Sequence, residues 1–186
     1  MNVTRPPSRR VRAGMAMLAA AIGGAAALSR PATAQNQNFD AVQIDTVKVR
    51  DNIYMLVGAG GNQTVQFGDE GVLVVDTQFA PLSAKLLAAI RSVTEAPIRH
   101  IVNTHMHGDH IGGNENFAKA GRSRAGGNVV GDIGGAATAT AHIVAHENVL
   151  TRLSAPPAAG QTAVPFAAWP NETFFGKKRE FLFNGE

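Results

Sequence analysis

Six consecutive residues, His105-Met106-His107-Gly108-Asp109-His110, constrain this chain more than any other stretch. The chain has six histidines, and half of them fall in this block. Imidazole nitrogen and carboxylate oxygen are the donor set of zinc and similar borderline metals. The run Ile98-Arg99-His100-Ile101-Val102 before it is rich in β-branched residues and reads as a short buried strand. A helix is expected to follow from about Gly108 to Ala120. The block therefore falls on a strand-to-helix loop. His105 and His107 are two apart, so on extended backbone they project to one side and can grip one ion. Asp109 and His110 come where the chain turns into the helix and can face a second ion or a bound water. Solvated histidines on a polar loop would be the bland alternative, but four donors in six residues serve no packing purpose.

His-x-His-x-Asp-His after an apolar strand resembles the metallo-β-lactamase superfamily of metallohydrolases. Gly71-Val72-Leu73-Val74-Val75-Asp76-Thr77 resembles that family's second hairpin strand with its acidic end, and Ile98 to Thr104 the strand that delivers the histidines. Thr104 to Asn114 is the most specific segment. The resemblance covers about residues 44–155, more loosely up to 186. It implies an α/β fold: the N-terminal half of a metallo-β-lactamase-like αβ/βα sandwich, a mixed sheet with helices packed on one side. It also implies that His105 and His107 bind a first metal and Asp109 and His110 a second. Asp109 would be catalytic, orienting a water that attacks an acyl-type substrate such as a β-lactam, ester or thioester. The implied cofactor is Zn2+, one or two ions, with iron or manganese as alternatives. Asp76 reads either as a residue that holds a histidine or the loop by hydrogen bonding, or as a plain strand-end cap. Thr104 and Asn114 are candidates for similar support.

The remaining histidines read differently. His142 and His146 are four apart, but Glu does not follow the first and the segment is β-branched, against a His-Glu-x-x-His helix. They are read as near the site without ligating. His100 lies inside a strand and is read as structural. Arg122 and Arg124 could meet an anionic substrate; surface arginine is the preferred reading.

Residues 1–34 read as an export signal. Arg9-Arg10 precede an apolar run from Ala13 to Leu28, and Pro31-Ala32-Thr33-Ala34 offers a small-x-small cleavage site. The run is too short and glycine-rich for a stable membrane span. Ser8-Arg9-Arg10 also hints at the twin-arginine route. Export implies a periplasmic or secreted protein. Without the leader's five arginines, the 17 basic residues become 12 against 14 acidic, near −2, so nothing points to nucleic acid. The partner expected is a small-molecule substrate; oligomeric state is left open. There is no cysteine, hence no disulfide and no thiolate ligand.

Along residues 35–186, strands are expected at 45–50, 53–57, 63–67 and 71–75, joined by a glycine loop at 58–61. An amphipathic helix is expected at 81–93, with Pro81 at its start. Residues 121–141 read as a long loop, either one wall of a substrate cleft or a plain insertion. His142 to His146 reads as a strand entering a helix at 147–153, and 154–171 as an irregular linker with Trp169 packed on the domain. Phe174-Phe175 and Arg179 to Phe183 read as strands, and Asn184-Gly185 as a hairpin turn. With no returning strand, and with no histidine after His146, the domain is expected to be incomplete at its C-terminus. The resemblance assigns further ligands to a later half, so weak metal binding and poor turnover are expected. Three functions follow: an exported zinc hydrolase, an iron-dependent oxidoreductase on the same scaffold, or a non-catalytic metal-binding remnant.

Overall fold

The computed structural model describes residues 37–123 and 140–186. The expected export signal at 1–34 lies outside them, as does most of the loop read at 121–141. Seven strands form one mixed sheet in simple chain order: β1 (Asp45–Arg50), β2 (Ile53–Val57), β3 (Asn62–Gly68), β4 (Gly71–Val75), β5 (Ile98–Val102), β6 (His142–His146) and β7 (Glu172–Phe174). β1 to β4 pair antiparallel; β4, β5, β6 and β7 pair parallel. The change falls at β4, the strand that leads into Asp76. Tight turns join the antiparallel strands, whereas parallel neighbours need crossovers. The first crossover carries α1 (Ser83–Val93), after a 3-10 turn at Ala80–Leu82. The second carries α2 (Gly108–Ile111) and α3 (Asn114–Ala120), and the third α4 (Glu147–Leu153). No helix among the described residues is long and apolar enough to cross a membrane.

Strand alternation sorts the side chains. Leu56, Val65, Val72, Val74, Ile98, Ile101 and Ile143 are buried on one face. Leu82, Leu86 and Ile90 around α1, and Phe117 and Ala118 of α3, close over them as one core. A smaller cluster joins Ile111, Ala145, Val149 and Leu153, with Trp169 packed on it as expected. The mixed sheet with helices on one side is thus the fold class read from the sequence.

Two expectations need correction. The helix read across 108–120 is broken after Ile111, and Gly112-Gly113 separate α2 from α3. The cause is a close approach. Gly113 donates its N–H to the Gln78 carbonyl at 3.1 Å, and a Cβ there would lie 2.5 Å from the Thr77 carbonyl oxygen. The backbone is spent on the neighbouring loop instead of on a helical turn. The strand read at 179–183 does not form either. The segment lies against the face of β5, with the rings of Phe181 and Phe183 5.5 and 5.0 Å from that of His100. It pairs with no strand edge. The Asn184-Gly185 turn does form: Phe183 and Glu186 exchange both backbone hydrogen bonds, with φ of 57° and 81° at the two turn residues, as a two-residue hairpin turn requires.

Candidate metal centre

The site lies at the carboxyl ends of β4 and β5, where the sheet changes from antiparallel to parallel. Asp76 follows β4, and its backbone N–H donates to the Val102 carbonyl at 2.8 Å. That bond ties the ends of the two strands together. Asp76 has φ of 63° and Gln78 φ of 51°. Left-handed backbone at non-glycine residues is strained and persists only where surroundings enforce it. Here Gln63 enforces it by donating its amide to the Asp76 carbonyl at 2.7 Å, and Thr77 by donating its N–H to the His110 carbonyl at 2.7 Å.

The strained turn aims a buried carboxylate at the histidine loop. Asp76 accepts from the Thr104 N–H at 2.8 Å, from the Thr104 hydroxyl at 2.7 Å and from His110 Nδ1 at 2.7 Å. An ionised carboxylate only accepts, so His110 carries a proton on Nδ1; in a neutral imidazole that makes Nε2 the lone-pair nitrogen. Thr104 relays the same logic. Its hydroxyl proton goes to Asp76, so at 3.0 Å its oxygen receives the Nδ1 proton of His105. The same tautomer logic therefore applies to His105. One buried carboxylate sets the tautomers of two imidazoles, as the partners of metal-binding histidines do. Of the two roles read for Asp76, the loop-holding one describes its contacts.

The four donors meet as two pairs. His105 Nε2 lies 3.1 Å from His107 Nδ1. Asp109 Oδ2 lies 3.5 Å from His110 Nε2. The His105 and His110 rings connect the pairs, with centroids 4.0 Å apart. Two nitrogens bound tetrahedrally to zinc at 2.0–2.1 Å are about 3.3 Å apart, so each pair has the span of one edge of such a site. The donors fit a borderline divalent metal in type and spacing. Among the described residues, no group of three or more such side chains is arranged to hold an ion. Each pair is a single edge, not a closed cage.

Thr77, Asn103 and Asn114 support the loop from below. The two asparagines bond each other reciprocally at 3.0 and 2.8 Å, Thr77 donates to Asn114 Oδ1 at 2.9 Å, and Asn114 donates to the Ala168 carbonyl at 2.9 Å. Asn114 is thus a support as read, while Asn103 and Thr77 went unremarked in the sequence. The other histidines keep other company. His142 Nδ1 lies 3.8 Å from Glu172, and His146 caps α4 by accepting from the Asn148 N–H at 3.1 Å. His100 stacks between His142 and the two phenylalanines; burial, then the nearby His142, lowers its pKa below 6.5. A cleft of about 530 Å³ lined by Ala118, Ile143, Leu150 and Trp169 lies beneath α3 and α4, away from the four donors.

Residues 56–173, more than half of the chain, match the family model of the metallo-beta-lactamase superfamily. The chain belongs to that superfamily. Solved structures from it share the fold. A subclass B3 metallo-beta-lactamase of Bradyrhizobium japonicum superposes with a TM-score of 0.58 at 20% identity, over 78% of this chain and 50% of that one. A class B3 di-zinc metallo-beta-lactamase from an Alaskan soil metagenome gives 0.58 at 15% identity, over 79% and 52%. In sequence, an alkyl/aryl-sulfatase of Saccharomyces cerevisiae is 32% identical over 75 residues, 39% of this chain and 12% of the yeast protein. A linear primary-alkylsulfatase of a Pseudomonas species is 45% identical over 49 residues, 26% and 9%. The superfamily chain therefore spans about half the length of the solved relatives and about a tenth of the sulfatases. β-Lactamases and alkylsulfatases are hydrolases, and the fold here is of that hydrolase type.

Proposed function

We propose that this superfamily member is an exported, periplasmic or secreted metallohydrolase in which His105, His107, Asp109 and His110 hold one or two divalent metal ions, zinc first. The observation that carries the reading is the shared carboxylate. Asp76 accepts the Nδ1–H of His110 and, through Thr104, orients that of His105, so in the neutral rings both Nε2 atoms are the lone-pair nitrogens. Two such nitrogens on one loop, each facing another donor side chain, are what a metal site uses. A metal held there would supply Lewis acidity and would lower the pKa of a bound water into the neutral range.

The protein residues define the rest. Asp109, with its carboxylate beside the open edge of His110, is placed to orient a water by accepting its proton in a hydrogen bond. Thr104 and Asp76 keep the imidazoles from rotating, so that binding need not order them. The substrate class is an ester-type bond at an acyl centre, as in a β-lactam, ester or thioester. A second reading, an alkyl sulfate ester, is favoured by the local identity of 45% to a linear primary-alkylsulfatase.

The test is metal content and hydrolysis by the full chain. Elemental analysis after dialysis should find zinc in the parent protein, held more loosely than at a three-ligand site. The variant with alanine at 105, 107, 109 and 110 should lose it. Turnover should then be sought on a β-lactam, an activated ester, a thioester and an alkyl sulfate. Equal zinc uptake by parent and variant would end the proposal; bound iron in place of zinc would move it to an oxidoreductase.

A further inference from the structure

We infer that the β2–β3 loop supplies a face without side chains, Gly60 and Gly61, that sets the position of the second donor pair, Gly61 being a positioning residue for His110 and Gly60 for Asp109. The two glycines divide the pair between them. A Cβ on Gly61 would lie 2.8 Å from His110 Cε1 and 3.2 Å from Nε2. A Cβ on Gly60 would lie 2.8 Å from Asp109 Cβ and 2.7 Å from Phe79 Cε2, and Gly60 has φ of 87°. The nearest atoms at either glycine belong to Phe79, Asp109 and His110, with none from His105 or His107.

Contacts this short can be relieved where the neighbour swings away freely. The His110 ring has no such freedom. Its Nδ1 is bonded to buried Asp76 at 2.7 Å, its ring lies 4.0 Å from that of His105, and its carbonyl accepts from Thr77 at 2.7 Å. The imidazole is gripped between a carboxylate and bare backbone. A side chain at 61 would crowd the ring edge at Cε1 first and then Nε2, the nitrogen turned to Asp109.

For metal binding this deepens the proposed function and rests on it, since it assumes that Asp109 and His110 are ligands. The placement of the ring does not. The test compares the full chain with Gly61→Ala, and with Gly108→Ala, whose Cβ would meet nothing within 4 Å. In chelator-treated protein, imidazole 1H–15N spectra should show the Nδ1–H form of His110 in the parent and in Gly108→Ala. Gly61→Ala should lose that protected signal and keep the His105 pattern. On zinc titration, Gly61→Ala should weaken the second ion about 10- to 100-fold, the usual effect of a changed supporting residue, and leave the first within about twofold. Should Gly61→Ala fold poorly, the Gly61→Ala/His110→Ala double variant decides: with the ring removed, the loss in thermal midpoint should largely disappear. An unchanged His110 signal in Gly61→Ala, or the same loss of midpoint with and without the ring, overturns the inference. Failure of the parent to bind any zinc would strike the proposed function, while the ring signal would still test this one.

Discussion

Replacing Asp76 by alanine tests the carboxylate at the centre of the site. The side chain is 5% exposed and accepts three hydrogen bonds, two from Thr104 and one from His110. The Thr104 hydroxyl is exposed enough to rotate to water. The part-buried Thr104 N–H and His110 Nδ1–H lose their acceptor, at about 1 kcal/mol each, the low end of the range for a buried group left unsatisfied. Alanine also keeps the strain of φ 63°, where aspartate is one of the better tolerated residues. The sum is a loss of roughly 3–4 kcal/mol, in the range of a broken buried network. Asp76→Gly loses the same bonds but accepts left-handed backbone without penalty, so it should be about 1–2 kcal/mol more stable than Asp76→Ala. Urea unfolding of the metal-free chain, read by the fluorescence of its one tryptophan, measures both numbers. A loss below about 1 kcal/mol for alanine, or no gap between alanine and glycine, would refute the reasoning, because then neither the bonds nor the strain would matter.

Other expectations follow from burial, linkage and mass action. His100 is held below its ordinary pKa of 6.5, first by burial, so the folded state binds its proton less readily than the unfolded state. Stability should be full above pH 6.5 and fall as pH drops from there toward the folded-state value. Urea midpoints across that window should show the slope in the parent and a shallower one in His100→Phe; equal slopes would remove His100 from the account. Phe117 is fully buried where α3 meets β5, so Phe117→Ala should cost about 3–5 kcal/mol in the same assay. A shift under about 1 kcal/mol would mean that α3 is not anchored there. Free zinc at a hundredfold excess over its dissociation constant should stabilise the chain by about 2.7 kcal/mol, reversed by chelator. No shift would mean that the folded loop does not bind the ion.

What the sequence made legible is what periodicity and punctuation encode. The four antiparallel strands, α1, β5, β6 and α4 lie within a few residues of where apolar spacing, Pro81 and the glycine turns put them. The four donors were legible because residue types so rich in lone pairs rarely cluster. The break at Gly112-Gly113 was not, since it depends on a carbonyl of the 76–80 segment that is distant in sequence. The strand expected at 179–183 failed for a related reason: alternation says that one side is apolar, not that an edge is free to pair. Asn103 and Gln63 carried no signal, because a buried amide is visible only once its partners are placed.

The two donor pairs differ in how they are held, and that difference orders the chemistry. His110 is bonded to a buried carboxylate and packed on bare backbone, so the fold itself fixes its ring. His107 is exposed, and its contacts are with the His105 ring. His105 depends on Asp76 only through an exposed threonine. Preorganised ligands lose little freedom on binding, whereas exposed side chains must be ordered at a cost of about 0.5–1.5 kcal/mol each. His110, the one donor bonded to Asp76 directly, is therefore the rigid member of the four, and the His105–His107 pair is the adaptable one. It is the pair whose geometry a further ligand, from water or from protein, can still adjust.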